Sequence, residues 1–392
     1  MELEWTRPQD AGLDPGRLSR LAGALQREID RRRLPGAVAM IGRRGRVAWT
    51  HCAGVLDPRQ PTAMRPDALF RIYSMTKPIV SLAIMMLLEE NRLALNDPLE
   101  RFVPEFGSVK VSVQEGAGHR LEARRRSITV QDLLRHTSGL TYDFVGTQEV
   151  HRLYAAANLG DRTVDNATLM RRLAALPLAH QPGTQWEYSR ATDVLGHLIE
   201  LVSGQTLGVF LQQRIFAPLG MTDTAFHVAP DQQHRIAEPF EQDPDSGAPV
   251  RVIEPRIKPA FESGGGGLIS SLADYTRLLK LLAGGGRLGN ERLISRDTLA
   301  FMTADHLGTI PNHSDILLPG HGFGLGFAVR THAGVAPLPG SVGSYFWGGI
   351  AGTTFWVDPA RELFAAMLVQ APPQRNEYRA LFRTMVYAAL DD

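Results

Sequence analysis

Ser74-Met75-Thr76-Lys77-Pro78, followed by the apolar run Ile79-Val80-Ser81-Leu82-Ala83-Ile84-Met85-Met86-Leu87-Leu88, is the stretch from which the rest of the chain is read. Proline has a fixed φ and no N–H, which suits the first turn of a helix. The run therefore predicts a buried helix over about 76–91 with Ser74 at its N-terminus. Lys77 then lies one turn beyond Ser74 on the same face. That spacing brings an amine to a hydroxyl, as a nucleophile and its base require. Free N–H groups at a helix start also favour a developing oxyanion. Only 4 of the 42 basic residues are lysine. Arginine cannot give up its proton in a protein, whereas a desolvated lysine can act as a base. The plainer alternative is an ordinary serine cap on a solvent-facing turn.

Working outward, a helix is expected over 15–33, with Asp14 as its cap and Leu18, Leu21, Leu25 and Ile29 on one face. Two strands at 37–41 and 47–52 follow, joined through Arg43-Arg44-Gly45. After Asn96-Asp97-Pro98 come helical segments at 130–135, 150–157, 167–175, 191–202 and 207–215. From Gly264 onward β runs return at 323–329, 353–357 and 363–368, before a last helix at 376–390. The pattern predicts an α/β region formed by 1–95 and 250–392, interrupted by a mostly helical region at 96–249. The Pro/Gly-rich stretch 242–249 is its boundary.

The 392 residues carry 42 Lys+Arg against 41 Asp+Glu, with 44% hydrophobic residues. That suffices for a large core and leaves no electrostatic footprint for nucleic acid or an anionic membrane. Arg31-Arg32-Arg33 and Arg124-Arg125-Arg126 are too short for a phosphate-binding stripe. A single cysteine, Cys52, excludes an internal disulfide framework and reads as a buried strand thiol. The N-terminus has two acids and no apolar core, and no apolar run approaches the roughly 20 residues of a membrane span. A soluble, cytoplasmic protein is expected. The 12 histidines show no ligand spacing, so neither metal nor cofactor is expected. His136 and His197 read as structural, with His136 able to reach the surroundings of the site. Gly264-Gly265-Gly266-Gly267 lacks a following Gly-Lys-Ser/Thr and reads as a structural turn. Ser271-Leu272-Ala273-Asp274 resembles a capping box. The absence of Gly-x-Ser-x-Gly argues against the ordinary α/β-hydrolase fold.

The chain resembles the serine β-lactamases, penicillin-binding proteins and related esterases, and within them class C β-lactamases and family VIII carboxylesterases. The resemblance spans about 15–390. It rests on the segment from Leu69 to Lys77, on Ile128 to Leu140, on Pro182-Gly183 with Trp186-Glu187-Tyr188-Ser189, on Pro218-Leu219-Gly220-Met221, on Ser263 to Ser271 and on Trp347-Gly348-Gly349. It implies an antiparallel sheet flanked by helices plus a helical lobe, with the site between them. Tyr188 follows a Pro-Gly turn and precedes a helix that Ser189 could cap, and it falls where the family's Tyr-x-Asn begins. Here the motif reads Tyr188-Ser189-Arg190, so the tyrosine's role carries over and the asparagine's does not. Trp347-Gly348-Gly349 occupies the place of Lys-Thr-Gly. Without that lysine, substrates bearing a carboxylate lose their counter-ion and neutral esters are less affected.

The resemblance thus implies a carboxylesterase that forms an acyl-enzyme on Ser74, with Lys77 and Tyr188 as a general acid/base pair. Backbone N–H groups of Ser74 and Ile350 would form the oxyanion hole. Trp347, Gly348, Gly349, Tyr142 and Phe144 are expected to line the pocket of a small-molecule ester, and the residues themselves, Phe144, Tyr142 and Trp347, suggest that its acyl side is apolar. A β-lactamase, a D-amino-acid peptidase or an acyltransferase on the same fold, and a non-catalytic binding protein, are the competing readings. Whether Lys77 or Tyr188 is the base stays open at this level, as does the oligomeric state.

Overall fold

The structure, a computed structural model, describes residues 3–116 and 118–391. Helix α1 (Pro15–Asp30) starts where Asp14 accepts the Arg17 N–H at 2.7 Å, and it buries Leu18, Leu21 and Leu25. Strands β1 (Gly36–Arg43) and β2 (Arg46–Asp57) form a hairpin. Its turn places Arg44 and Gly45 at φ 51° and 75°, the left-handed pair that a two-residue hairpin requires.

The remaining strands of the main sheet are β3 (Thr62–Ala63), β4 (His321–Phe323), β5 (Ala328–Arg330), β6 (Tyr345–Gly348), β7 (Thr354–Asp358) and β8 (Leu363–Val369). All pairings are antiparallel, in the order β4-β5-β6-β7-β8-β1-β2-β3. Every residue of β1 is buried, because alternate side chains enter two different layers. Ala37, Ala39 and Ile41 pack with α1 and the C-terminal helix. Val38 and Met40 belong to the larger core on the opposite face. The helices that matter for the site are α2 (Thr76–Glu89), α3 (Ala191–Ser203), α4 (Leu272–Ala283) and α5 (Arg375–Ala388). Helix α2 is buried all round from Thr76 to Leu87, which explains a composition without a polar face. No single described helix is long and apolar enough to cross a membrane.

Three local expectations are corrected. The run 323–329 is two strands, not one: Gly324 N–H bonds the Phe327 carbonyl at 2.8 Å and Gly326 takes φ 103°, turning the chain between β4 and β5. A hairpin of Val111–Glu115 with Gly118–Glu122 lies within a stretch too polar to announce strands. Cys52 is half-buried rather than buried, since β2 borders only the two-residue β3 on its outer side.

Candidate active site

Ser74 sits in a short 3-10 turn, Tyr73–Met75, that feeds directly into α2. Tyr73 is held at φ 44°, a costly conformation for a residue with a side chain. The strain is contained by several anchors. Tyr73 Oη accepts the Ile253 N–H at 3.0 Å, Tyr275 Oη donates to the Met75 carbonyl at 3.1 Å, and Thr76 Oγ1 accepts the Leu268 N–H at 3.2 Å. Lys77 follows in the first turn of α2, 1% exposed.

Around these two residues the chain gathers a compact polar cluster. Lys77 Nζ donates to the Gly265 carbonyl at 2.6 Å, to Tyr142 Oη at 3.1 Å and to Ser74 Oγ at 3.4 Å. An ammonium has three donors, and all three have acceptors. Tyr188 Oη and Ser74 Oγ share a hydrogen bond of 2.6 Å, and Lys77 Nζ lies 4.6 Å from the centre of the Tyr188 ring. Burial alone would push the Lys77 ammonium to release its proton. The phenolic oxygens of Tyr142 and Tyr188 outweigh it, and the net direction is upward. Burial also pushes Tyr142 up to about 12.

The end of β6 closes the site from the other side. Trp347 is buried, and its indole N–H donates to Tyr188 Oη at 3.4 Å while its ring meets Tyr188 and Phe323 at 5.3 Å each. Gly349 must be glycine: a Cβ there would stand 2.4 Å from the Ile72 carbonyl and 2.4 Å from Thr353 Oγ1. This close approach seats the turn Gly349–Gly352, closed by a 3.0 Å bond from Gly352 N–H to the Gly349 carbonyl, against the Ser74 turn. Ile350 occupies that turn, with its side chain partly exposed. Arg379 of α5 reaches the same place and donates to the Gly349 carbonyl; burial lowers it to about 10. Gly348 leaves room for that guanidinium, since a Cβ would lie 2.8 Å from its carbon.

The structure adds detail to several sequence expectations. Tyr142 does more than wall a pocket, because its hydroxyl is committed to Lys77. Phe144 stacks on Tyr142 at 4.8 Å but is 57% exposed, on the outer rim. The N-cap of α3 is Arg190, which makes no side-chain cap, while Ser189 Oγ accepts the N–H of Ala191, the first helical residue, at 3.4 Å and meets His136 Nδ1 at 3.1 Å. His136, at φ 58° with its carbonyl accepting the Glu187 N–H, supports the Tyr188 segment, and burial holds it neutral. His197 pairs with Glu200 at 2.9 Å on α3. Ser271 caps α4, but Asp274 turns instead to Asp223 and Thr224, so the box is half formed. Asp193 and the Gly265 carbonyl were not singled out by the sequence reading. An aspartate in a first helical turn looks like dipole compensation, and a backbone carbonyl carries no sequence signal.

An antiparallel sheet covered by helices, with Ser-x-x-Lys at the start of a buried helix and a tyrosine on the serine oxygen, defines a serine hydrolase architecture of the penicillin-recognising type. The chain belongs to the beta-lactamase family, whose profile matches residues 21–389. It is 33% identical over 389 residues to Esterase EstB of Burkholderia gladioli, covering 91% of this chain and 93% of that one. It is 37% identical over 351 residues to Protein Rv1367c of Mycobacterium tuberculosis, covering 87% and 86%. Among solved structures it is similar to EstCE1, described as a hydrolase with promiscuous acyltransferase activity, with a TM-score of 0.83, 27% identity and coverage of 95% and 99%.

Proposed function

We propose that the protein is a serine carboxylesterase that hydrolyses short-chain esters of small molecules through an acyl-enzyme on Ser74. The observation that carries this reading is the 2.6 Å bond between Ser74 Oγ and Tyr188 Oη, beside the buried cation of Lys77. The Tyr188 oxygen stands within reach of the serine proton, as a general base must. Ser74 Oγ attacks the ester carbonyl carbon as its proton passes to Tyr188. The oxyanion that forms is met by the backbone N–H groups of Ser74 and Ile350. Collapse of the tetrahedral intermediate expels the alcohol, protonated by Tyr188. A water molecule, deprotonated by Tyr188, then attacks the acyl group, and Ser74 leaves with the proton. In this reading 1–95 and 250–392 supply Ser74, Lys77 and Trp347, and 96–249 supplies Tyr142 and Tyr188.

Two features favour neutral esters over β-lactams. Trp347 stands in place of the lysine that would pair with a substrate carboxylate. Arg190, a possible substitute, is already committed to the Leu159 carbonyl at 3.0 Å and lies 5.2 Å over the Tyr142 ring. The likeness to Esterase EstB supports the same reading. Parallel hydrolysis of p-nitrophenyl butyrate and a chromogenic cephalosporin, by the wild type and Ser74→Ala, tests it. Fast Ser74-dependent ester cleavage with little lactam turnover is expected, and comparable turnover of both overturns the preference.

The description of EstCE1 favours one second reading, transfer of the acyl group to an alcohol. The first half-reaction is unchanged, and the alcohol replaces water in the second. Addition of small alcohols to the ester assay, with the new ester measured directly, separates transfer from hydrolysis.

A further inference from the structure

Asp193 lies five residues beyond Tyr188, in the first turn of α3, and is 2% exposed. Its Oδ1 accepts the Ser263 hydroxyl at 2.6 Å and the Gly265 N–H at 2.8 Å, and Arg190 stands 3.5 Å from Oδ2. Residue 265 therefore has its N–H on Asp193 and its carbonyl on Lys77 Nζ. The fit excludes side chains. A Cβ on Gly265 would lie 2.9 Å from the Asp193 carboxylate and 3.0 Å from Tyr142 Oη, and one on Gly264 would lie 2.5 Å from the Thr192 carbonyl. The glycine run is thus a clamp between α3 and the lysine.

The charge balance points the same way. Lys77 is faced by Ser74 from its own turn, by Tyr142, by Tyr188, and by His136, which burial keeps neutral. From α3 it is faced by Asp193, with Arg190 behind Tyr142. Of these groups only Asp193 is a carboxylate. A buried ammonium without an opposite charge tends to release its proton, and Asp193 supplies that charge one backbone residue away.

We propose that Asp193 is a positioning residue for acyl transfer: it holds the Gly265 carbonyl on Lys77 and keeps that lysine an ammonium, leaving the base role to Tyr188. The inference rests on the ester-hydrolysis reading above.

The test is the pH dependence of kcat/KM and kcat for p-nitrophenyl butyrate in the wild type, Ser74→Ala and Asp193→Asn. The asparagine keeps an acceptor oxygen for Ser263 and Gly265, removes the charge and turns an NH2 toward Arg190. A nearby negative charge raises the pH at which the Lys77–Tyr188 pair loses its proton, so its removal must lower that pH. The acid limb is expected to move down by roughly one pH unit, with kcat about tenfold lower and KM changed by less than about threefold. An unmoved acid limb overturns the role of Asp193, whatever the plateau does. Ser74→Ala separates the two layers. If it retains wild-type turnover, the reading of the site fails and the inference with it; if it is inactive while the Asp193→Asn limb is unmoved, only the inference fails. A second measurement reads the lysine directly. With only four lysines, 15N-lysine labelling lets the Lys77 ammonium be followed by NMR as pH is raised. Lys77 is expected to stay protonated as the pH is raised in the wild type and to lose its proton at lower pH in Asp193→Asn; identical behaviour in the two proteins overturns the proposal.

Discussion

Asp132 and Lys77 are both buried, each at the centre of a polar cluster, and the two clusters are built for opposite ends. Asp132 accepts two bonds from Arg126 at 2.5 and 2.9 Å, one from Arg135 at 3.2 Å, and others from the Thr137 hydroxyl, the Thr129 hydroxyl and the Thr129 N–H. Every partner is a donor, and the counter-charge comes from guanidinium groups that do not deprotonate. Burial would raise the Asp132 carboxyl, but Arg126 and Thr137 hold it below its ordinary value. The Lys77 cluster instead joins an amine to three hydroxyls, Ser74, Tyr142 and Tyr188, each able to give or accept a proton. Burial and charge are common to both. What separates a lock from a reactive centre is whether the protons in it can be exchanged.

Substitutions can break this contrast. Ser74→Ala should abolish ester turnover, by at least about 10⁴-fold in kcat, while thermal unfolding changes little. Survival of turnover would show that the exchangeable cluster is not the reactive one. Tyr188→Phe should lower kcat by about 10²- to 10⁴-fold and remove the acid limb of the rate profile. A profile of unchanged shape would take the base role from Tyr188. Asp132→Ala should lower unfolding stability by about 3–5 kcal/mol, because two guanidinium groups lose their partner, yet leave kcat per folded molecule near the wild type. Equal losses of stability and kcat would erase the distinction between the clusters. Trp347→Phe keeps an aromatic ring but removes the donor to Tyr188, and a loss of about 3- to 10-fold in kcat is expected from one weak hydrogen bond. The last is a pH effect on stability, at Glu187. Burial would raise its carboxyl, but His151 at 3.7 Å and His180 at 2.6 Å bring it down to about 2. A carboxyl whose folded value is depressed stabilises fully above its ordinary 4.5, and that stabilisation disappears as the pH falls from there through 2. Thermal unfolding of Glu187→Gln should therefore fall less steeply than that of the wild type over the same acid range.

What the sequence made legible was what is local. Ser74 and Lys77 are three residues apart, so helical spacing is enough to bring them together. The hairpin of β1 and β2 follows from apolar runs around Arg44-Gly45. Tyr188 lies 114 residues from Ser74, and its position became readable only through the family resemblance. Tyr142 was read for its aromatic bulk; its meeting with Lys77 spans 65 residues and engages the hydroxyl, which no periodicity announces. Gly265 and Asp193 meet across 72 residues, so the glycine run looked like a plain turn. Polar contacts of that range are set by the packing of α3 on α2 and leave no local pattern in the chain.

The pairing of β1 with β8 has a consequence for biosynthesis. Residues 37–43 pair with β2 on one side and find their second partner at 363–369, and the Asp14 N–H bonds the Ala389 carbonyl at 2.9 Å. A ribosome delivers the nucleophile early, but the centre of the sheet stays half-paired until residues 363–369 have been made. Contacts so distant in sequence make a slow, late folding step. Gly349, which seats its turn against Ser74, also arrives 275 residues after the serine. The nascent chain therefore carries its serine and lysine before the sheet and the turn that surround them can form.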